Sequence, residues 1–234
     1  MEGYTFLNHY RYERKFVLND SSAMRAEMVL KQNPALFRSI FKPRQINNIY
    51  FDSPGLDCFY DNLFGNRERW KVRIRWYGET KGEIRQPILE YKLKKGLVGT
   101  KRSWPLASFE INGAFDGYAL RDLLQRSALP DEQRNDLARL KPVLLNSYQR
   151  KYFISNDGLF RATIDQELRY YNLRSAWNML YHAYEERSKS VIELKYNQEY
   201  DTTASEITSA FPFRLDKNSK YATGMMYFNP GIAE

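Results

Sequence analysis

Residues 70 to 77 read Trp-Lys-Val-Arg-Ile-Arg-Trp-Tyr. In an extended chain successive side chains point to opposite sides. Lys71, Arg73 and Arg75 therefore share one face, and Val72, Ile74 and Trp76 share the other. Same-face neighbours sit roughly 6.6 Å apart. At an effective dielectric of about 20, two like charges at that distance repel by ~2–3 kcal/mol. On an open surface water and salt reduce the repulsion to little. In a closed tunnel it persists unless an anion offsets it. Three cations on one strand face are thus either a solvated surface or one wall of an anion site.

Other segments carry compatible groups. In residues 88 to 95, Glu90, Lys92 and Lys94 oppose Leu89, Tyr91 and Leu93. In 191 to 196, Glu193 and Lys195 oppose Ile192, Leu194 and Tyr196. Residues 11 to 15 set Arg11, Glu13 and Lys15 on one face. Lys101 and Arg102, Tyr148 and Arg150, and Lys217 and Lys220 add to the set. Any one of these alone is compatible with an exposed charged face. Their joint occurrence predicts inward-facing cations able to grip a phosphate chain, arginines bidentately and lysines as point charges.

Glu193 is the leading metal-ligand candidate, with Glu13 and Glu90 as further ones. A carboxylate among apolar neighbours and beside a lysine can hold Mg²⁺ or Mn²⁺, with phosphates and water completing the shell. A pairing of Glu193 with Lys195 or Lys92 accounts for the same pattern. The sequence has no Gly-rich Walker loop and no Ser–His–Asp set. Two histidines, His9 and His182, and one cysteine, Cys58, make a classical zinc site an unpromising reading.

The elements that must position these groups are mainly strands. Alternation marks 10 to 18, 46 to 51, 70 to 77, 88 to 95, 147 to 155, 159 to 168 and 191 to 196. Helices are expected from Asp20 or Ser21 to Gln32, over Leu56 to Leu63, Tyr118 to Arg126 and Asp131 to Leu140, and from Thr202 or Thr203 onward. This describes a β-rich α+β fold with peripheral helices. The 234 residues show no linker or repeat, so residues 1–234 are read as a single domain. The net charge of +8 favours anionic partners without choosing among them. No apolar stretch approaches the ~20 residues of a membrane span, and residues 1 to 15 lack an apolar signal core. With a lone cysteine, this leads to the expectation of a cytoplasmic protein.

At this point the residues resemble a known family. Arg-Tyr-Glu-Arg-Lys-Phe at 11 to 16, Ile-Tyr-Phe-Asp at 49 to 52 and Lys-Val-Arg-Ile-Arg-Trp-Tyr-Gly at 71 to 78 carry the resemblance. Leu-Glu-Tyr-Lys at 89 to 92, Ser-Tyr-Gln-Arg at 147 to 150, Ile-Glu-Leu-Lys at 192 to 195 and Ser-Lys-Tyr at 219 to 221 complete it. The ordered set is similar to the VTC domain, the polyphosphate polymerase domain of the vacuolar transporter chaperone family, within the triphosphate tunnel metalloenzymes. The resemblance implies an antiparallel β-barrel forming a triphosphate tunnel, flanked by helices. It implies phosphate contacts for Lys15, Arg73, Arg75, Lys92, Lys101, Arg150 and Arg161, and a tunnel-lining role for Tyr148. It further implies metal binding by Glu193, and substrate contacts by Lys217 and Lys220 on a last strand, next to Ser219. Lys71, Lys94, Lys195 and Arg11 extend the substrate-binding set. Arg11 stands where the broader superfamily often has a first glutamate.

The implied activity is transfer of the terminal phosphoryl group of ATP to a growing polyphosphate chain with Mn²⁺ or Mg²⁺. Arg73, Arg75, Lys92, Arg150, Arg161 and Lys220 would serve the chemistry. A tripolyphosphatase or nucleoside triphosphatase in the same tunnel is the first alternative, and a non-catalytic polyphosphate-binding module is another. Nucleic acid is not the expected partner, because Trp76 and Tyr91 lie on faces opposite the cations and cannot stack on the surface that meets phosphate. A membrane-protein partner is left open.

Overall fold

The structure is a computed structural model that describes residues 11–19, 23–96, 98–112, 115–174, 183–216 and 218–232. The long alternating segments form strands: β1 (Arg11–Leu18), β2 (Arg38–Asp52), β3 (Glu68–Tyr77), β4 (Gly82–Ile84), β5 (Ile88–Lys95), β6 (Val98–Pro105), β7 (Phe109–Ile111), β8 (Lys141–Ile154), β9 (Arg161–Asn172), β10 (Tyr184–Glu186) and β11 (Ser190–Asn197). The helices are α1 (Ala23–Gln32), α2 (Asp57–Leu63), α3 (Gly117–Arg126), α4 (Asp131–Arg139), α5 (Asp201–Ser209) and α6 (Lys220–Phe228). Among the described residues no helix is long and apolar enough to cross a membrane.

Nine strands form one antiparallel sheet in the order β10-β9-β11-β1-β6-β5-β3-β2-β8, and β8 also pairs with β9. The sheet therefore curls strongly. The expected barrel with a continuous wall is corrected in one respect. Among the described residues β1 meets β6 through one pair only, Arg11 with Gly99, so a full ladder does not run round the wall. The fold is a curled, β-rich antiparallel sheet with six described helices.

Period-two alternation produces two outer cores and one inner one. Val72, Ile74, Trp76, Leu89 and Tyr91 face outward and are covered by Leu120 and Leu123 of α3 and Leu137 of α4. Phe16, Leu18, Ala162, Ile164, Ile192 and Leu194 are covered by Ala26 and Leu30 of α1 and Ala204 and Ile207 of α5. The Asp116 side chain accepts the N–H groups of Tyr118 and Ala119 and so caps α3.

The sixth helix departs from expectation. Lys220 opens α6 instead of lying on a last strand, and this helix is not peripheral. Its Tyr221, Ala222 and Met225 pack with Ile46, Tyr50, Tyr148 and Tyr170, the first three of which share the sheet face of the strand cations. A Cβ on Gly224 would fall 2.5 Å from Tyr170 Cδ1 and 2.6 Å from Leu144 Cδ2, so only glycine lets the helix settle that deeply. Asp52 fixes the helix from the other side. Its buried carboxylate accepts the Cys58 and Phe59 N–H groups at the start of α2, both at 2.9 Å, and the Tyr221 hydroxyl.

Candidate active site

The concave face of the sheet carries the charge. Side chains from strands that are not neighbours meet across it. Lys92 of β5 reaches Glu13 of β1 at 2.9 Å. Lys220 of α6 reaches Asp165 of β9 at 2.5 Å. Lys15 donates to the Asn218 carbonyl at 2.9 Å, and Lys71 to Ser219 Oγ at 2.7 Å. Ser219 in turn accepts the Ala222 N–H and caps α6. The alternation that puts Ile74 and Trp76 into the outer core thus turns Lys71, Arg73 and Arg75 inward.

Two carboxylate-centred clusters organise the cations. In the first, Glu90 is buried and accepts Arg73 Nε at 2.8 Å and Nη2 at 2.6 Å, with Lys101 at 2.7 Å and Arg75 Nη1 at 3.8 Å. Burial opposes its ionisation, but Arg73, Arg75 and Lys101 override it and hold the carboxyl far below the usual range. Glu90 therefore holds basic side chains in place. Glu90 sits in a cluster of its own, apart from Glu13 and Glu193, and its oxygens are taken by Arg73 and Lys101.

In the second cluster Arg150 binds Asp165 through Nε at 2.5 Å and Nη2 at 2.6 Å, and also reaches Glu193 at 3.3 Å. Glu193 pairs with Lys195 at 2.9 Å and Lys15 at 3.4 Å. Lys15 is shared with Glu13 at 3.3 Å. Burial works against ionisation of Glu13, yet Lys15, Lys92 and Lys195 keep its carboxyl well below the usual range. Tyr148 lies under Lys220 at 4.8 Å and Arg150 at 5.3 Å. Burial pushes its phenol up, but Arg150 and Arg75 outweigh it and bring it to about 8.

Among the described residues this face carries Lys15, Lys71, Arg73, Arg75, Lys92, Lys101, Arg150, Lys195 and Lys220 against Glu13, Glu90, Asp165 and Glu193, an excess of positive charge. Arg161 pairs in register with Lys195 and is exposed. Lys94 shares the strand face of Lys92 and pairs in register with Arg69. The Arg11 backbone pairs with Asn197. Lys217, His9 and His182 lie outside the described residues. Asp165, which the sequence reading does not single out, is the one fully buried carboxylate of the site. Its signal was a lone acid on the strand face of Arg161 and Thr163, opposite apolar Ala162 and Ile164.

The carboxylates of this face can be tested as a donor set for a divalent cation. Among the described residues no group of three or more acidic, histidine or cysteine side chains is placed to hold a metal. Mg²⁺, however, commonly takes one or two carboxylates and completes its shell with water and substrate phosphates. Glu13 and Glu193 flank Lys15 from adjacent strands, and Glu13 Oε1 is buried without a hydrogen-bond partner. That pair fits a substrate-completed site.

The VTC domain family model matches residues 10–229 of this chain. The chain belongs to the VTC domain family. Two solved structures share the fold of this VTC domain. One is the PH1819 protein from Pyrococcus horikoshii OT3, at 14% identity and TM-score 0.53, covering 93% of this chain and 99% of that one. The other is HpAC1 from Hippeastrum, assigned as an adenylyl cyclase and reported with a dominant triphosphatase activity. It matches at 14% identity and TM-score 0.50, covering 92% of this chain and 96% of that one. At such identities the likeness concerns the fold. No curated protein matches this chain in sequence.

Proposed function

We propose that this VTC domain is a polyphosphate polymerase that moves the γ-phosphoryl group of ATP onto a terminal phosphate oxygen of a growing chain and releases ADP. The observation that carries the reading is the excess of fixed cations on the concave face. Phosphoryl transfer spreads charge over phosphoryl oxygens and asks the protein mainly for positioning and neutralisation. Arg73 and Arg150 are held rigidly by Glu90 and Asp165, so their remaining donors are preorganised for phosphate. Arg75 Nε is buried without a partner and supplies a further donor. Lys15, Lys71, Lys92, Lys195 and Lys220 line the path of the chain, with Ser219, Tyr148, Lys94, Lys101 and Arg161 along it. The acceptor is a phosphate already ionised at neutral pH, so no protein base is needed. Glu193 and Glu13 would hold Mn²⁺ or Mg²⁺, which neutralises phosphate charge.

Hydrolysis of tripolyphosphate or a nucleoside triphosphate is the second reading, supported by the closeness of Glu13 and Glu193 around Lys15. Two carboxylates can orient a water as well as a metal. Incubation with ATP and Mn²⁺, with and without a short polyphosphate primer, separates the two. Polymerase activity gives ADP and lengthening chains. Free phosphate accumulating in step with ADP, with no chain formed, gives the site to a triphosphatase.

A further inference from the structure

One end of the concave face is built differently from the rest. Strand β2 slips register twice between Ser39 and Arg44, around Pro43. Bulges of this kind re-aim side chains near functional sites. Here the irregularity brings Phe41 opposite Tyr152, their rings edge to face at 5.7 Å. The Arg44 guanidinium lies 5.1 Å from the Phe41 ring, 5.6 Å from Tyr77 and 5.7 Å from Tyr152. Arg44 pairs in register with Arg150, and Arg75 lies 5.6 Å from the same Tyr77 ring. The aromatic cluster is therefore continuous with the phosphate-binding cations.

Two features show that this cluster is not ordinary core. Phe41 and Tyr77 are each about half exposed, at 51% and 49%, so part of each ring is accessible to a ligand. Behind them, the Tyr152 hydroxyl and Thr163 Oγ1 are buried without hydrogen-bond partners, and these residues pair directly across β8 and β9. Thr163 is only 8% exposed and lies between Tyr152 and Glu193. Accessible aromatic rings, a shared guanidinium and orphaned hydroxyls suit a flat ring with a polar edge. A bare phosphate chain uses none of these except the guanidinium.

We propose that Phe41, Tyr77, Tyr152 and Arg44 form a nucleobase subsite that stacks the base of a nucleoside triphosphate at this end and directs its phosphates toward Arg75 and Arg150. The proposal rests on the reading of the concave face as a triphosphate site, and it adds the end at which the nucleotide docks. Stacking on aromatic side chains is sequence-tolerant and strengthened by arginine.

The test compares two ligands by titration calorimetry in Mg²⁺: adenosine 5′-(β,γ-imido)triphosphate and inorganic tripolyphosphate. The variants are the double substitution Phe41→Ala with Tyr77→Ala, and Tyr77→Leu alone, which keeps apolar bulk should the double variant fold poorly. The expected result is a nucleotide affinity about 5- to 140-fold weaker in the double variant, the range that stacking of about 1–3 kcal/mol per base gives. Tripolyphosphate affinity is expected to change less than about two-fold. Equal weakening of both ligands, or no weakening of either, overturns the nucleobase subsite. If the unsubstituted protein binds nucleotide and tripolyphosphate no better than it binds sulfate, the triphosphate reading itself falls, and the subsite with it.

Discussion

Arg150 and Asp165 are joined by two parallel hydrogen bonds, Nε to Oδ1 at 2.5 Å and Nη2 to Oδ2 at 2.6 Å, across adjacent strands β8 and β9. Lys220 reaches the same carboxylate from α6. One buried acid thus orients cations from a strand and a helix. Burial opposes its ionisation, and Arg150 and Lys220 override that opposition to keep it charged.

Replacing this acid separates support from chemistry. Asp165→Asn keeps the shape but leaves Arg150 and Lys220 buried beside an amide. Removing one partner of a buried ion pair costs about 3–5 kcal/mol, so the denaturation midpoint is expected to fall sharply without ligand. Tripolyphosphate supplies the missing negative charge, so the deficit is expected to shrink when it is added. Denaturant titrations with and without tripolyphosphate check this, and an unchanged deficit assigns Asp165 a purely structural role.

Glu193→Ala is expected to abolish metal-dependent turnover while polyphosphate binding stays intact or tightens. The substitution frees Lys15 and Lys195 from a carboxylate they now share. Turnover at saturating Mn²⁺, set against polyphosphate binding by calorimetry, reads the split. Full turnover would take Glu193 out of the mechanism.

The tunnel lysines make pH a two-sided probe. Burial, with Lys15 and Lys195 adding to it and Glu13 opposing, pushes Lys92 down to about 7. Burial likewise pushes Lys195 down to about 8, Glu13 opposing and Arg150 and Arg75 reinforcing. Between these values and the ordinary lysine range, the unfolded chain binds more protons than the folded one. Stability without ligand is therefore expected to rise with pH from about 7 toward about 10. Affinity for tripolyphosphate is expected to fall over the same interval, because the lysines lose charge. Thermal melts and calorimetry from pH 6.5 to pH 9.5 test the opposed slopes, and parallel slopes would contradict the assignment.

Gly224→Ala tests the seat of the inner helix. The added methyl meets the Tyr170 and Leu144 side chains at 2.5 and 2.6 Å, so the helix or these buried side chains must shift. Overpacking of this kind costs about 1–3 kcal/mol. A lower denaturation midpoint together with weaker tripolyphosphate binding is expected, since Ser219 and Lys220 begin the displaced helix.

Much of this was legible because strand alternation is a local signal. Lys71, Arg73 and Arg75 faced one way in the sequence, and Ile74 and Trp76 packed the other way as their spacing required. The helix pair expected at Tyr118 to Arg126 and Asp131 to Leu140, broken at Pro130, is found as α3 and α4. What the sequence left open depends on contacts between distant segments. That Glu90 meets Arg73 follows from the register of β3 with β5, in which Arg73 lies opposite Glu90. Lys220 read as a strand lysine because the helix it starts is held by Gly224 and Asp52, far apart in sequence. Phe41 escaped notice because bulges around Pro43 break the alternation that would have exposed its direction.

The hydrogen bond from Lys15 to the Asn218 carbonyl joins residues 203 positions apart. Ribosomes elongate chains at about 5–20 residues per second, so roughly 10–40 s separate the synthesis of these two partners. At the end of that interval, after β11 is made and before α6 emerges, the basic wall stands without the helix that lines it. Non-local pairing of this kind also slows folding. The site is therefore among the last parts of the molecule to mature, and a stalled or truncated chain ending before α6 would display arginines and lysines without the capping Ser219, the Asp165-bound Lys220 or the Tyr221 anchor.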